Sequence, residues 1–564
     1  MSKHKNHNKS KINEEEDISL DITKYKNILS NKNTIKILAT FLFILIPIIL
    51  SIFLRIQPAY LPATDDWARN SIYTNIKSNL NNQISQQYPN LPAENKNKII
   101  NEEFQKILDA GTINMNGQDM NIEQIIKENS EYFKTKFQNE NGNTYLLAID
   151  PYFYYRMTKN VINNGYERDY EDEEGKYHDT KILAGKPIKD GTDIKISNFH
   201  THLQYYFYKI ARLFNPNVDL MGVVFLTPLI IGTIAIIPAF FLTRKIAGNI
   251  GGFFAGILIA IHPAFLTRTA AGFSDTDAYN VFFPLLIIWL FMEALDAKTT
   301  KNRIILTTLT GLNIGLFSYA WGGWFFILTY LVALIGGLFI YYIIKNINTI
   351  IKNPASIMKN KKIKNLSIVS SIFAISTVIF ISLISSPKKI LSFVLGIIDF
   401  TQIKDVGTLK IWPNVYTTVA ELNPASLGQV ISQISLGSKL WLFIAFIGLV
   451  LSLTYIKKNN VKYSYFIIAS AIWYIFIITI QKSFVNHLFY AILISIPIIV
   501  WVLYSFFENQ EMDIKYALIL LIWFASTIYA GSKGVRFILL LVPAFSIACG
   551  IAVGKINNIL SNWI

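Results

Sequence analysis

A polytopic, all-α membrane protein is the fold this sequence predicts, and three observations point there. Apolar residues make up 52% of the 564 residues, and the mean hydropathy is +0.36. Those residues gather in runs of about 20, the length a helix needs to cross a bilayer. Polar and basic residues fall mainly between the runs.

In order, the runs are 36–54, 220–242, 248–266, 279–295, 303–320, 324–344, 366–386, 438–456, 463–480, 487–507, 514–530 and 536–553. They predict about twelve to thirteen transmembrane helices, the margin being one merged or split pair. The first run has no small-residue cleavage site and exceeds a signal-peptide core, so it reads as an anchor. The single cysteine, Cys549, lies inside the last run and excludes a disulfide framework.

The net charge of +15 is informative through its distribution. Lys3, Lys5, Lys9, Lys11, Lys24 and Lys26 precede the first run. Lys345, Lys352, Lys359, Lys361, Lys362 and Lys364 fill one loop that holds no acid. Arg244 and Lys245, then Lys298, Lys301 and Arg303, then Lys457 and Lys458 fill shorter ones. Threaded through the runs, all of these fall on one side, which the positive-inside rule makes the cytoplasm. Lysines spread over loops a helix apart do not form a nucleic-acid footprint.

This threading divides the chain into a cytoplasmic basic tail (1–35), a first transmembrane helix (36–56) and an external loop domain (57–218). Transmembrane helices follow (219–386), then a second external loop (387–437) and the C-terminal transmembrane helices (438–564). The stretch 70–145 is polar, with helical periodicity in 97–109 and 121–137. The second external segment reads as helical at 390–400. No internal repeat is evident.

The acidic residues Asp150, Asp275, Asp277 and Glu421 occupy three connecting loops, and the threading puts all three on the external side. Carboxylates gathered at a membrane are costly unless they bind something, and a divalent cation with a polar substrate would account for them. Each motif also has a plain structural reading. In Asp150-Pro151, Asp is a good N-cap and Pro suits the first helical position. Asp277 in Asp275-Thr276-Asp277 could open the helix from Tyr279, with Arg268 a simple ion-pair partner. Thr418-x-x-Glu421 matches a capping box, although Asn423-Pro424 disfavours a helix through it. Arg536, in Lys533-Gly534-Val535-Arg536-Phe537, is an external basic residue against the positive-inside trend, which an anionic substrate would explain.

Together these residues resemble the catalytic subunit of oligosaccharyltransferase, the STT three family with its archaeal and bacterial relatives. The matching pieces are Asp150-Pro-Tyr-Phe-Tyr-Tyr-Arg156, Arg268 seven residues before Asp275-Thr-Asp277, Ala320-Trp-Gly-Gly-Trp324, the loop Pro413–Leu422, and Gly534-Val-Arg-Phe537 leading to Pro543. The likeness spans roughly 36–553, with 65–145 resembling an insertion. Thr-Asp-Asp-Trp at 64–67 and the dense aromatics resemble the archaeal branch.

The resemblance implies a GT-C type membrane fold with a large first external loop. It implies transfer of a glycan from a lipid phosphate or pyrophosphate carrier to the Asn of Asn-x-Ser/Thr, at the external face of the cell membrane. By the same resemblance Asp150, Asp275 and Asp277 hold Mg²⁺ or Mn²⁺, and Asp150 and Glu421 contact the acceptor amide. Arg536 holds the lipid phosphate, and Arg268 supports the metal site. The implied partners are a lipid-linked oligosaccharide and an acceptor polypeptide, with no nucleic acid.

One family motif is missing: no Trp-Trp pair occurs, so the Trp-Trp-Asp-x-Gly segment that reads the acceptor Ser/Thr has no match. The threading also leaves the C-terminus cytoplasmic, one helix short of that domain. The expectation is a membrane module (a fragment, a split gene product or a degenerate relative) served by a separate acceptor-reading chain. Two alternatives are another lipid-phosphate-dependent GT-C glycosyltransferase, which would not need Glu421, and a transporter. A transporter would carry its ionisable residues at mid-membrane, whereas these acids lie in loops.

Overall fold

The computed structural model describes residues 32–115, 118–180, 182–183, 186–187, 191–401, 420–455, 461–481, 486–507 and 512–561. The lysines of the N-terminal tail, Lys457, Lys458, the Pro413–Val419 part of the second loop and Thr418 of the expected capping box lie outside them.

Helices dominate, as backbone polar groups require where no water is present to pair with them. The first, α1 (Lys32–Ile56), is uncharged from Ile37 to Leu54 and carries Arg55 in its last turn. Three helices follow outside the apolar runs: α2 (Ala63–Gln87), α3 (Ala93–Ala110) and α4 (Ile122–Lys136). A hairpin of β1 (Thr112–Met115) and β2 (Gln118–Asn121) joins the last two. Ala68, Ile122 and Ile126 form their small core, edged by Ile72, Tyr73, Ile107 and Phe133. Asn121 caps α4, its side chain accepting from the Gln124 amide.

Two helices, α5 (Ile149–Asn164) and α6 (Phe199–Phe214), then pack together beneath a charged loop. Arg156 of α5 pairs with Asp169 of that loop and, at 3.0 Å, with its Asp179, and Arg168 also pairs with Asp179.

The membrane body begins with α7 (Leu220–Ile234) and α8 (Ile236–Ile261). They form one apolar run of 42 residues, about 60 Å at 1.5 Å per residue and so twice the span of a hydrocarbon core. The run breaks at Gly248, whose φ is 74°. After a short α9 (Pro263–Thr269) come α10 (Tyr279–Asp296), α11 (Thr300–Ala320), α12 (Phe325–Lys345) and α13 (Lys361–Ile384). The second loop segment opens with α14 (Lys388–Thr401). The remainder is α15 (Leu427–Ile434), α16 (Lys439–Leu451), α17 (Val461–Thr479), α18 (His487–Phe507), α19 (Lys515–Gly531) and α20 (Val542–Ser561).

Among the described residues each of the twelve expected runs is mainly helical, although 438–456 leaves its helix at Leu451 for a two-residue strand, Thr454–Tyr455. Among the described residues eight helices are long and apolar enough to cross a membrane, or nine if the bent pair α15–α16 counts as one. The lower number has physical causes. Two expected passes merge into the 42-residue run, and α19 is only 17 residues long. The threonines and asparagines of α11 dilute its apolar character. The α15–α16 pair turns by 84° through Leu436 and Gly437, both at positive φ.

The last helix sits at the centre. The apolar part of Val535–Ser561, which holds α20, is 94% buried, against 11% for that of Thr34–Tyr60, which holds most of α1. The contact of α20 with α8 relies on small residues. A Cβ on Gly550 would stand 2.5 Å from the Gly251 carbonyl oxygen, and one on Gly554 would stand 2.4 Å from that of Ala247. Only glycine permits so close an approach, the small-xxx-small device of membrane helices.

Candidate active site at the acidic loops

One backbone hydrogen bond joins the first two acidic loops, and two more fix the second of them to α7 and α1. The Gly272 carbonyl accepts from Leu147 N (3.0 Å), Gly272 N donates to the Phe225 carbonyl (2.7 Å), and Ala271 N donates to the Arg55 carbonyl (2.8 Å). Gly272 has φ 93°, and a Cβ there would lie 2.6 Å from the Phe225 ring and 2.9 Å from Leu147. A left-handed turn in so tight a place requires glycine. Its consequence is that the start of α5 lies beside the Asp275–Asp277 turn.

Asp150 stands in the first turn of α5, exposed, and makes no capping bond; the cap position is Ala148. Asp275 caps the 3₁₀ turn Thr276–Ala278, accepting from the Thr276 amide at 2.5 Å. Burial, then the charges of Asp277 and Asp150, push the Asp275 carboxyl up to about 6, partly offset by the Thr276 amide and by Arg536.

Asp277 is buried and does not cap α10, which starts at Ala278 without a side-chain cap. Instead it lies between two cations: Arg268 Nη1 is 3.5 Å from Oδ2, and Arg536 Nη2 is 3.2 Å from Oδ1. Arg268 also pairs through Nη2 with Glu421 and lies over the Phe273 ring at 5.2 Å.

Glu421 sits in the 3₁₀ turn Ala420–Leu422. Val535 N donates to the Asn423 carbonyl (3.0 Å) and Ala425 N to that of Gly531 (3.1 Å), which ties this loop to the Arg536 segment. Leu422, Ala530, Phe537 and Leu540 bury the junction, with Trp321 and Phe326 against it. A capping box does occur nearby, at Ser426 and Gln429 on α15, where sequence reading had not placed one.

Asp275, Asp277, Arg268, Glu421 and Arg536 therefore meet in one ionic cluster, and Asp150 is close enough to act on Asp275. Among the described residues, no three His, Cys, Asp or Glu side chains converge as a ready metal cluster.

Two further features escaped the sequence reading. Arg55, fully buried, donates from Nε to Thr269 Oγ1 and from Nη1 to Ser51 Oγ and the Ala260 carbonyl, each at 2.8 Å. The signal was present: it is the lone charge closing an 18-residue uncharged run. His200, on α6, is buried among polar partners. Burial pushes its ring pKa down to about 3, which keeps it neutral.

Residues 122–561 match the family described as oligosaccharyl transferase STT3, N-terminal. A dolichyl-phosphooligosaccharide-protein glycotransferase of Methanococcus voltae is 31% identical over 449 residues, 77% of this chain and 44% of that protein. Its counterpart from Methanocaldococcus jannaschii is 25% identical over 513 residues, covering 77% and 48%. The archaeal oligosaccharyltransferase AglB from Archaeoglobus fulgidus, solved with an inhibitory peptide and a dolichol-phosphate, aligns at 19% identity with a TM-score of 0.42, covering 75% and 48%. The chain spans about half the length of the curated relatives it matches. The matched range begins after α2, α3 and the β1–β2 hairpin. By that match, over most of its length, the chain belongs to the STT3 oligosaccharyltransferase family.

Proposed function

We propose that this protein transfers a glycan from a lipid phosphate or pyrophosphate carrier to the side-chain nitrogen of Asn in Asn-x-Ser/Thr, at the outer face of a membrane. The observation that carries the reading is Arg268, which pairs with Asp277 and also with Glu421, 153 residues further along the chain. A purely structural cap at each loop would not bring the acids of two loops onto one guanidinium.

The reaction joins an amide nitrogen to the first sugar carbon and breaks that carbon's bond to the carrier phosphate. The amide nitrogen is a poor nucleophile because its lone pair is delocalised into the carbonyl. Glu421 and Asp150 accept its N–H bonds, orient it and take up the proton it loses. Arg536, bound to Asp277 through one nitrogen, has further donors for the phosphate that leaves with the bonding electrons. Arg268 sets the position of Glu421.

The donor set suits a hard divalent cation. It consists of carboxylate oxygens, and burial with the acidic neighbours pushes the Asp275 carboxyl up to about 6, a strain a cation relieves. Asp150 and Asp275 would hold Mg²⁺ or Mn²⁺. Asp277 joins them only by giving up part of its arginine pairing. Bound there, the ion would stabilise charge on the departing phosphate.

Reading of the acceptor Ser/Thr is assigned to a segment outside these residues, on a continuation of the chain or on a separate one. The lysine asymmetry supports placing 57–218 and 387–437 outside and 345–364 in the cytoplasm. An impermeant thiol reagent should label a cysteine introduced at 150 in sealed cells and spare one at 355. Labelling at 355 would overturn that placement.

The decisive assay is transfer from extracted lipid-linked glycan to a sequon peptide, with and without a Trp-Trp-Asp-containing chain. Metal-independent transfer would remove the proposed cation. Absence of transfer under every condition would remove the reading as a whole.

A further inference from the structure

Opposite the arginines, the Asp275 turn is held by a chain of uncharged hydrogen bonds. His200 Nδ1 pairs with Tyr279 Oη at 2.6 Å, and His200 Nε2 pairs with Gln204 Nε2 at 2.8 Å and Ser274 Oγ at 3.2 Å. Gln204 Nε2 also donates to Ser274 Oγ at 3.1 Å. Its Oε1 accepts from Thr158 on α5 at 2.6 Å. Tyr154, one turn before Thr158, lies edge-on to His200 at 4.8 Å between ring centres and hydrogen-bonds the Thr276 side chain.

Asp150, Tyr154 and Thr158 follow one another at intervals of four, so they share one face of α5. That face carries a carboxylate at one end and the clasp at the other. Ser274 precedes Asp275, and Tyr279 lies two residues past Asp277. Both ends of the acidic turn are therefore gripped by a single imidazole. His200, Gln204, Ser274 and Tyr279 are all essentially buried. With the Gln204 amide donating to Nε2, the ring proton lies on Nδ1 and is donated to Tyr279. Burial keeps the ring in this neutral form.

We propose that His200 is a positioning residue: acting through Ser274 and Tyr279, it fixes the Asp275–Asp277 turn against the α5 face that carries Asp150. Its hydrogen bonds go to Tyr279, Ser274 and Gln204 and not to the carboxylates. Its role for the cation and for transfer rests on the function proposed above, whereas its role in holding the turn does not.

The test compares His200→Phe and His200→Gln in the full chain in lipid nanodiscs. Phenylalanine keeps an aromatic ring against Tyr154 but removes the ring partner of Tyr279 and leaves Ser274 bonded to Gln204 alone. Glutamine keeps a polar amide facing Ser274. Two readouts are taken well below each variant's melting temperature: amide hydrogen exchange, and Mn²⁺ binding by paramagnetic resonance.

In His200→Phe, exchange across 273–278 should rise roughly tenfold while the α8 and α20 amides stay protected, a local opening. Mn²⁺ binding should weaken by roughly tenfold, as when an outer-shell partner of a metal ligand is lost. His200→Gln should restore most of both. Unchanged exchange at 273–278 in His200→Phe overturns the clasp, as does a uniform rise across the protein, which marks a merely structural residue. If wild-type protein shows no saturable Mn²⁺ binding, the cation reading fails, and exchange alone still decides whether His200 holds the turn.

Discussion

The two flanks of the Asp275–Asp277 turn are built from opposite materials. On one flank Arg268, Arg536 and Glu421 are charged, and their side chains keep 29%, 31% and 39% exposure. On the other, His200, Gln204, Ser274 and Thr158 are uncharged and at most 1% exposed. Charged pairs beside water exchange partners at little cost, because solvent screens what they lose. Buried neutral hydrogen bonds do not, because a broken one leaves a polar group with nothing to replace it. Under the proposed function the difference divides labour: phosphate and amide would compete for the arginines and Glu421 on the ionic flank, while the neutral flank keeps the turn in place.

Glu421→Gln should break the comparison most severely. Loss of a carboxylate that accepts from the amide nitrogen should lower transfer by roughly 10²- to 10⁴-fold, with lipid-carrier binding nearly unchanged. A kcat measurement beside a carrier-binding measurement checks this. Wild-type transfer by the variant would reduce Glu421 to an ion-pair partner of Arg268.

Arg536→Ala comes next. Carrier binding should weaken by about 10- to 100-fold, the worth of a charge-assisted hydrogen bond to phosphate. The effect should appear in KM for the carrier before kcat. An effect confined to kcat would move the phosphate site away from Arg536.

The neutral flank has its own signature in pH. His200 has a folded pKa near 3, below the ordinary imidazole value of 6.5. Between those limits the unfolded chain binds a proton that the native ring does not, so this residue's contribution to stability falls as pH falls from about 6.5 towards 3. Asp275 acts in the opposite sense. Its folded pKa of about 6 lies above 3.8, so the native state gains stability as pH falls between those values. Thermal melts from pH 7 to pH 4 should therefore show wild type losing ground relative to His200→Gln and gaining ground relative to Asp275→Asn. Parallel curves for all three would refute the contrast.

The smallest effect tests the scaffold. Ser426→Ala removes a capping box just after the Glu421 turn and should cost about 1 kcal/mol of stability. Transfer at low temperature should be unaffected, since Glu421 is held by Arg268 and by the backbone bonds to 531–535. A large loss of transfer would mean that the cap itself positions Glu421.

Most of the helical body was legible from the chain. Backbone groups inside a bilayer must pair within their own helix, so each apolar run becomes a helix regardless of what lies beside it. That rule is local, and the runs obey it along most of their length, 438–456 leaving its helix at Leu451. The three acidic loops were legible for a related reason, since carboxylates between apolar runs are rare enough to stand out.

Partner choice was not legible. The Arg536–Asp277 pair joins residues 259 apart, and the Arg268–Glu421 pair joins residues 153 apart. No periodicity encodes such distances. The structural readings of Asp150 and Asp277 as helix caps were sound on local grounds, yet the caps fall to Ala148 and Ala278, because packing set where each helix begins. Arg55 and His200 stood in the sequence as one basic and one aromatic residue among many. Their meaning came from burial, which turns an ordinary side chain into one whose every hydrogen bond must be met. Helix identity is a property of short segments in an apolar solvent, and the chain carries it by itself. Which side chains share a buried polar contact depends on how those helices stack, and only the assembled structure decides that.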